Sequence, residues 1–316
     1  MSVLSLTLDE SKEGAVPYRP YTAEKYQWRA SVQAFSQGGY EATIKLVDVE
    51  KVAAARDAQE YGFLRGKRLP RPEEQRNESD IERAAQRARK TVRHKCKEMG
   101  ADRLLTLTTR EVLTVEELLK AWQRFLYLIE KAMGERFLYI AVPEPHPSNP
   151  DHLHLHVAVN TFLKVEIVRR CWHAALAGGG RTDSRGASAR PPSRQLRGKD
   201  SPGNVDLQWI KVRSKHQVMS RVARYISKYV TKDCLQRFNK KRYWATKGVQ
   251  LMEVRRIWLK SADAVTAFEE FRLMMGLDNL PAFQGLARGN CFFAPSGELV
   301  WLQVNPDEVP HDPPPF

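Results

Sequence analysis

The run HLHLHVAV at residues 152–159 decides how this chain reads. Histidine and aliphatic residues alternate with period two, so the segment is a strand. His152, His154 and His156 share one face, while Leu153, Leu155 and Val157 fall on the other and pack into a core. Imidazole is a common ligand for divalent metals, and two histidines two apart on a rigid strand can share one ion. A histidine pair alone leaves the shell incomplete. Glu144, near the end of the expected strand at 136–143 (RFLYIAVP), can add a hard oxygen if the two strands pair. Asp151 is a further nearby carboxylate, whereas the prolines flanking His146 are expected to turn it outward. One carboxylate and two imidazoles leave positions for a phosphate and water, which suits Mg2+ or Mn2+ better than a closed zinc site.

Upstream, residues 103–108 (RLLTLT) form a short apolar strand. Thr114 and Glu117 make a capping box ahead of a helical stripe of Leu118, Trp122, Phe125, Leu126 and Ile129. Pro145, Pro147 and Pro150 mark a loop before the histidine strand. Downstream, the pattern predicts a helix at 165–176, a strand at 205–212 and a helix at 214–231 striped by Val218, Val222, Ile226 and Val230. Strand, helix, strand, strand, helix, strand, helix across 102–231 is an α+β order with adjacent strands antiparallel.

Outside that region the signals thin. Residues 1–40 read as irregular, with Pro17, Pro20, Gly38 and Gly39 as breakers. A strand is expected at 40–49, a loop at 66–79, and a basic helix at 80–99 carrying Arg83, Arg87, Lys90, Arg93 and Lys97. Strand character recurs at 248–258. Residues 291–304 read as a hairpin through Ser296 and Gly297, after a helix at 262–275. The end, VPHDPPPF, is a proline-rich tail.

A second motif lies on the helix at 214–231. Tyr225 and Tyr229 are four apart in the run YISKYVTK (225–232), so one helical face presents both. Lys228 is adjacent to Tyr229, and Lys232 lies one turn beyond it. A tyrosine hydroxyl is a poor nucleophile at its ordinary pKa of ~10. A neighbouring cation or metal-bound phosphate helps by stabilising the charge that develops.

The 316 residues carry a formal net charge of +14, and that excess is local. Residues 161–260 hold 24 Lys+Arg against 6 Asp+Glu, whereas 261–316 hold 2 against 8. A local excess of this size points to a polyanion, with nucleic acid ahead of membrane. No apolar run approaches the ~20 residues of a membrane helix. The first residues lack the basic and apolar regions of a secretory signal. Cys96, Cys171, Cys234 and Cys291 are scattered, with no C-x-x-C pair, which fits a reducing cytoplasm. Residues 178–203, rich in Gly, Ser, Pro and Arg, read as a mobile basic insert.

LLTLTT at 104–109, then HLHLHV, then YISKYVTK follow the three-motif layout of HUH endonucleases, where U is a bulky hydrophobic residue. The chain resembles rolling-circle replication initiators of small phages and plasmids over roughly 102–232, and more weakly through RYWATKGV at 242–249. The resemblance implies an HUH fold: a central antiparallel sheet flanked by helices, metal on the sheet and tyrosines on a facing helix. It implies a nicking domain at 101–240 between an N-terminal accessory region at 1–100 and a C-terminal one at 241–316. It also implies that His154 and His156 hold Mg2+ or Mn2+ with Glu144, His152 being an extra or substitute ligand. Tyr225 then attacks the scissile phosphate first, Tyr229 takes the second transesterification, and Lys228 holds the phosphate or tyrosine. The expected partners are single-stranded or supercoiled origin DNA, gripped by Arg181, Arg185, Arg190, Arg194, Arg197 and Lys232, and a host polymerase and helicase. A helicase is expected from the host because no G-x-x-x-x-G-K-[ST] motif occurs. The expected setting is the cytoplasm of a bacterial host of a phage or plasmid. Two rivals are a two-tyrosine transposase, disfavoured by the lack of an N-terminal cysteine-rich module, and a non-catalytic DNA-binding regulator of the same fold.

Overall fold

The computed structural model describes residues 25–60, 78–177, 201–209, 215–230, 242–277 and 291–305. In chain order the elements are β1 (Tyr26–Ala34), β2 (Tyr40–Asp48), α1 (Val49–Glu60), α2 (Glu78–Glu98), β3 (Arg103–Leu107), α3 (Val115–Met133), β4 (Tyr139–His146), β5 (Asn149–Val159), α4 (Val165–Leu176), β6 (Val205–Trp209), α5 (Lys215–Tyr229), β7 (Trp244–Ala245), β8 (Arg255–Trp258), α6 (Ala264–Met274), β9 (Cys291–Phe293) and β10 (Leu299–Val304). The chain is α+β, with two antiparallel five-stranded sheets, consistent with an HUH-like fold. It divides into two compact units, residues 71–251 and residues 1–70 with 252–316. These divisions fall away from the expected 100/101 and 240/241, because α2 packs with α5 and the first two strands pair with the last ones.

In the unit of residues 71–251 the strand order is β6-β3-β5-β4-β7, which puts the histidine strand at the centre. Period two sorts its side chains. Leu153, Leu155 and Val157 join Leu105 and Leu107 under α3 and α4, with Leu118, Trp122, Phe125 and Trp172 above them. Phe125 lies edge-on to Phe137 and Trp172. The opposite face, with Leu104, Ile140, Val142 and Ala158, lies under Val92 and Cys96 of α2 and Val222 and Ile226 of α5. The capping box starts α3 as expected: Thr114 Oγ1 accepts from the Glu117 N–H and Glu117 Oε2 accepts from the Thr114 N–H. Gly203 has a steric role, since a Cβ there would collide with the Thr108 carbonyl beside Trp172.

The proline loop expected before the histidine strand is instead strand. β4 runs to His146 and pairs with β5 from Asn149, with a register shift between Pro145 and His146. Among the described residues β4 meets β7 on its other side only at Ile140 and Ala141, so there Pro143 and Pro145 sit on an edge. There a missing N–H breaks no inner ladder.

In the other unit the order is β8-β1-β2-β10-β9. The irregular reading of residues 25–40 is corrected: β1 is nine residues long, and it joins β2 through a turn at Gly38 and Gly39, both with positive φ that glycine adopts without strain. Trp28, Ala30, Val32, Ala42, Ile44, Val300 and Leu302 face α6 and pack on Phe268 and Phe271. The hairpin through Gly297 forms as expected. The motif layout implies a single central sheet; the regions expected to be accessory build a second one.

Candidate metal and tyrosine site

The pairing of β4 with β5 places Glu144 directly opposite His154, and pairing with β3 places Thr106 opposite His156. All four residues project from the α5 face of the sheet, where the apolar cluster gives way to polar groups. Glu144 and His156 are buried, and His154 is half-buried. Glu144 Oε2 lies 2.7 Å from His156 Nε2 and 3.7 Å from His154 Nε2. One ligand atom from each of the three lies within 4.8 Å of the others, a spacing that could hold a metal ion.

The His154 ring favours a cation in the triad. Its Nε2 is buried without a hydrogen-bond partner. An orphaned acceptor or donor of this kind costs about 1–3 kcal/mol, and a cation at the centre of the triad would satisfy it. Burial pushes the His154 imidazole down to about 4, with the His156 charge acting in the same direction and the Glu144 carboxylate opposing. The ring is therefore neutral at physiological pH, the form that ligates metal. His156 Nδ1 lies 3.2 Å from Thr106 Oγ1, which fixes the ring orientation while Nε2 faces Glu144. The sequence reading passed over Thr106. Its signal was available: within LLTLTT it is the polar residue that alternation puts on the same face as the histidines.

His152 takes a different place from its expected one. Its Nε2 lies 2.8 Å from the Thr109 carbonyl and 3.1 Å from Thr109 Oγ1. As the tautomer donating to that carbonyl, it ties β5 to the end of the LLTLTT segment, and the three-group cluster that could hold a metal excludes it. His146 is exposed as expected, although its ring centroid lies 5.5 Å from that of His154. Asp151 is exposed and is not among the three groups that could hold a metal.

The last turn of α5 brings both tyrosines to this cluster. Tyr229 stacks flat on His156, with centroids 4.3 Å apart and planes 11° apart. Tyr225 lies edge-on to both Tyr229, at 5.1 Å, and His156, at 6.3 Å. Their environments differ: Tyr229 is 8% exposed and Tyr225 42%. Burial pushes the Tyr229 hydroxyl well up, reinforced by its hydrogen bond to Tyr225 and by the Tyr225 and Glu144 charges. Lys228 is exposed in the same turn. Arg181, Arg185, Arg190, Arg194, Arg197 and Lys232 lie outside the described residues, as do most of the insert and the loop expected at 66–79. Cys96, Cys171 and Cys291 are free thiols. Among the described residues no helix is long and apolar enough to cross a membrane.

Residues 102–234 match the family model for the replication-associated protein ORF2. The match takes in β3 through α5 and supports a Rep-type, replication-associated protein. No curated protein and no solved structure matches the chain.

Proposed function

We propose that this chain is a replication initiator endonuclease that nicks and rejoins one DNA strand at an origin. The observation that carries the reading is the stack of Tyr229 on His156, with Tyr225 edge-on to both, beside a Glu144–His154–His156 triad. In the first step a tyrosine Oη attacks the scissile phosphorus and loses its proton. The P–O3′ bond breaks, a 5′-phosphotyrosine forms, and the 3′ oxygen takes up a proton to leave a free 3′-OH for polymerase. Attack of a 3′-OH on the phosphotyrosine reverses the chemistry, releases the tyrosine hydroxyl and rejoins the strand, while the second tyrosine can cut a further scissile phosphate in the same way.

Glu144, His154 and His156 would hold Mg2+ or Mn2+, which when bound supplies Lewis-acid polarisation of the phosphate. The protein's own groups divide the remaining work. Tyr225, the exposed ring, is the first nucleophile. Tyr229 keeps its proton and stabilises a Tyr225 phenolate by donating to it. Thr106 fixes the His156 ring, and Lys228 meets the phosphate. The insert arginines from Arg181 to Arg197, with Lys232, track the strand, and a host helicase opens the nicked duplex.

The test is incubation of the protein with Mn2+ and labelled single-stranded origin DNA, followed by a denaturing gel. A covalent adduct is expected with wild type, and its absence on the correct origin would sink the enzyme reading. Tyr225→Phe should lose the first adduct. Full adduct with Tyr225→Phe and none with Tyr229→Phe would reverse the order of the tyrosines.

A further inference from the structure

The second sheet has a face that the nicking chemistry does not use. α6 covers the side bearing Trp28, Ile44 and Leu302, and among the described residues no apolar cluster covers the other. Cross-strand register sets what that other face presents. One row runs Arg256, Ser31, Thr43, Trp301, Phe292 from β8 to β9. The next runs Trp258, Arg29, Lys45, Leu299. Lys45, Arg256 and Phe292 are exposed, Phe292 by 53%. Arg29, Trp258 and Trp301 are half-buried.

Three features of these rows agree on one kind of ligand. First, the cations Arg29, Lys45 and Arg256 outnumber the acids: the face's strand carboxylate is Glu41, buried and accepting from Trp301 Nε1 at 3.3 Å. Second, two N–H donors on this face, Arg29 Nε and Trp258 Nε1, have no acceptor. Burial and the nearby Arg256 charge both hold the Arg29 guanidinium below its ordinary pKa, so the two like charges repel until an anion joins them. Third, the rings are spread out. Trp258 and Trp301 lie three strand spacings apart, about 14 Å, and the Arg29 guanidinium lies over the Trp258 ring, 5.5 Å from its centroid. Phe292 stands opposite Trp301 on the neighbouring strand.

We propose that this face is a platform for single-stranded DNA, with bases stacked on Phe292 and Trp301 and phosphates held by Lys45, Arg256 and the Arg29 guanidinium that lies over Trp258. Rings that accept any base, interleaved with cations that follow the backbone, are what sequence-tolerant single-strand binding requires. The choice of DNA over RNA rests on the nicking reading above; the platform itself stands on the face alone.

The test uses the full chain in EDTA, where cutting plays no part, and labelled oligo(dT) read by fluorescence anisotropy. Lys45→Glu/Arg256→Glu should weaken binding at least about tenfold and flatten the log–log salt dependence by about 1.4, the value for two single-strand phosphate contacts. Phe292→Ala should weaken binding about fivefold or more, with the salt slope kept. Its ring is exposed, so it tests the platform even if the charge reversals disturb folding. The comparison variant Lys51→Glu/Lys131→Glu makes the same charge change at exposed sites elsewhere. Equal weakening by that variant, or wild-type affinity in both face variants, overturns the proposal. Oligo(rU) bound as tightly as oligo(dT) overturns the assignment to DNA. Photo-cross-linking of 4-thiothymidine oligonucleotides should map to 255–258 and 291–304, and cross-links confined to 102–251 would also overturn it. Failure of the nicking reading would show separately, as a missing adduct in Mn2+.

Discussion

Both units are built on five antiparallel strands with helices over an apolar face, yet they put their polar residues to different use. In the sheet ordered β6-β3-β5-β4-β7, helices cover both faces, and two adjacent polar pairs, Thr106 with His156 and Glu144 with His154, lie beside the end of α5. In the sheet ordered β8-β1-β2-β10-β9, α6 covers one face and the polar rows of the other include exposed lysine, arginine and phenylalanine. Alternation is the same in both. Enclosure differs, and it decides whether a polar row becomes desolvated enough to hold a cation or stays open to a polymer. A buried imidazole left without a partner is the mark of the first kind.

Removing an enclosed group tests this contrast most severely. His156→Ala takes away one of the three groups that could hold a metal and the surface on which Tyr229 stacks. Mn2+-dependent adduct formation should fall at least about 100-fold in single-turnover assays, since metal polarisation of a phosphate is worth several kcal/mol. A smaller fall would mean that the enclosed row is structural.

Packing gives the next largest effect. Phe125 and Phe271 anchor the two cores, and each is fully buried. Truncating either to alanine should cost about 3–5 kcal/mol. Hydrogen exchange should place the lost protection in 78–251 for Phe125→Ala and in 25–60 with 252–305 for Phe271→Ala. Uniform loss in both variants would merge the two units into one cooperative block.

A subtler change separates the three groups that could hold a metal from their support. Thr106→Val keeps shape and removes the hydroxyl beside His156 Nδ1. Mn2+ affinity measured by calorimetry should drop about 10–100-fold, while thermal stability changes little. Unchanged affinity would show that Thr106 does not orient the ring.

The smallest effect is common to both units. Hydrogen bonds from the Thr114 N–H and hydroxyl hold the Glu117 carboxyl below its ordinary range, and Thr266 does the same for Asp263. A carboxyl depressed in the folded state adds stability above its unfolded pKa of about 4. That contribution is lost as pH falls through the lowered folded value. Protection of amides in the first turns of α3 and α6, relative to their intrinsic exchange, should therefore fall on acidification below about pH 4, and Glu117→Gln should remove that pH dependence in α3 alone.

Much of the unit at 71–251 was legible because its signals are local. The order from β3 to α5 follows from periodicity, α4 begins and ends where the pattern puts it, and the capping box at Thr114 is a four-residue motif. Glu144 could be nominated because hairpin neighbours tend to pair. The second sheet was hidden for the opposite reason. β1 and β2 meet β8 and β10 from the far end of the chain, and β1 (YQWRASVQA) carries Arg29, Ser31 and Gln33 on the face away from α6. Such pairing leaves no local mark.

The candidate residues could be picked out before any fold was known: three histidines on one strand face, two tyrosines on one helical turn and a carboxylate one strand away. These follow from the fixed periods of strand and helix, which need no tertiary information. Which of them meet was settled by the folded chain. Register set His154 opposite Glu144 and gave His152 to the Thr109 carbonyl, and helix packing buried Tyr229 against His156 while leaving Tyr225 exposed. Side-chain direction is a property of the backbone, but burial and partnership depend on what folds over it from elsewhere in the chain.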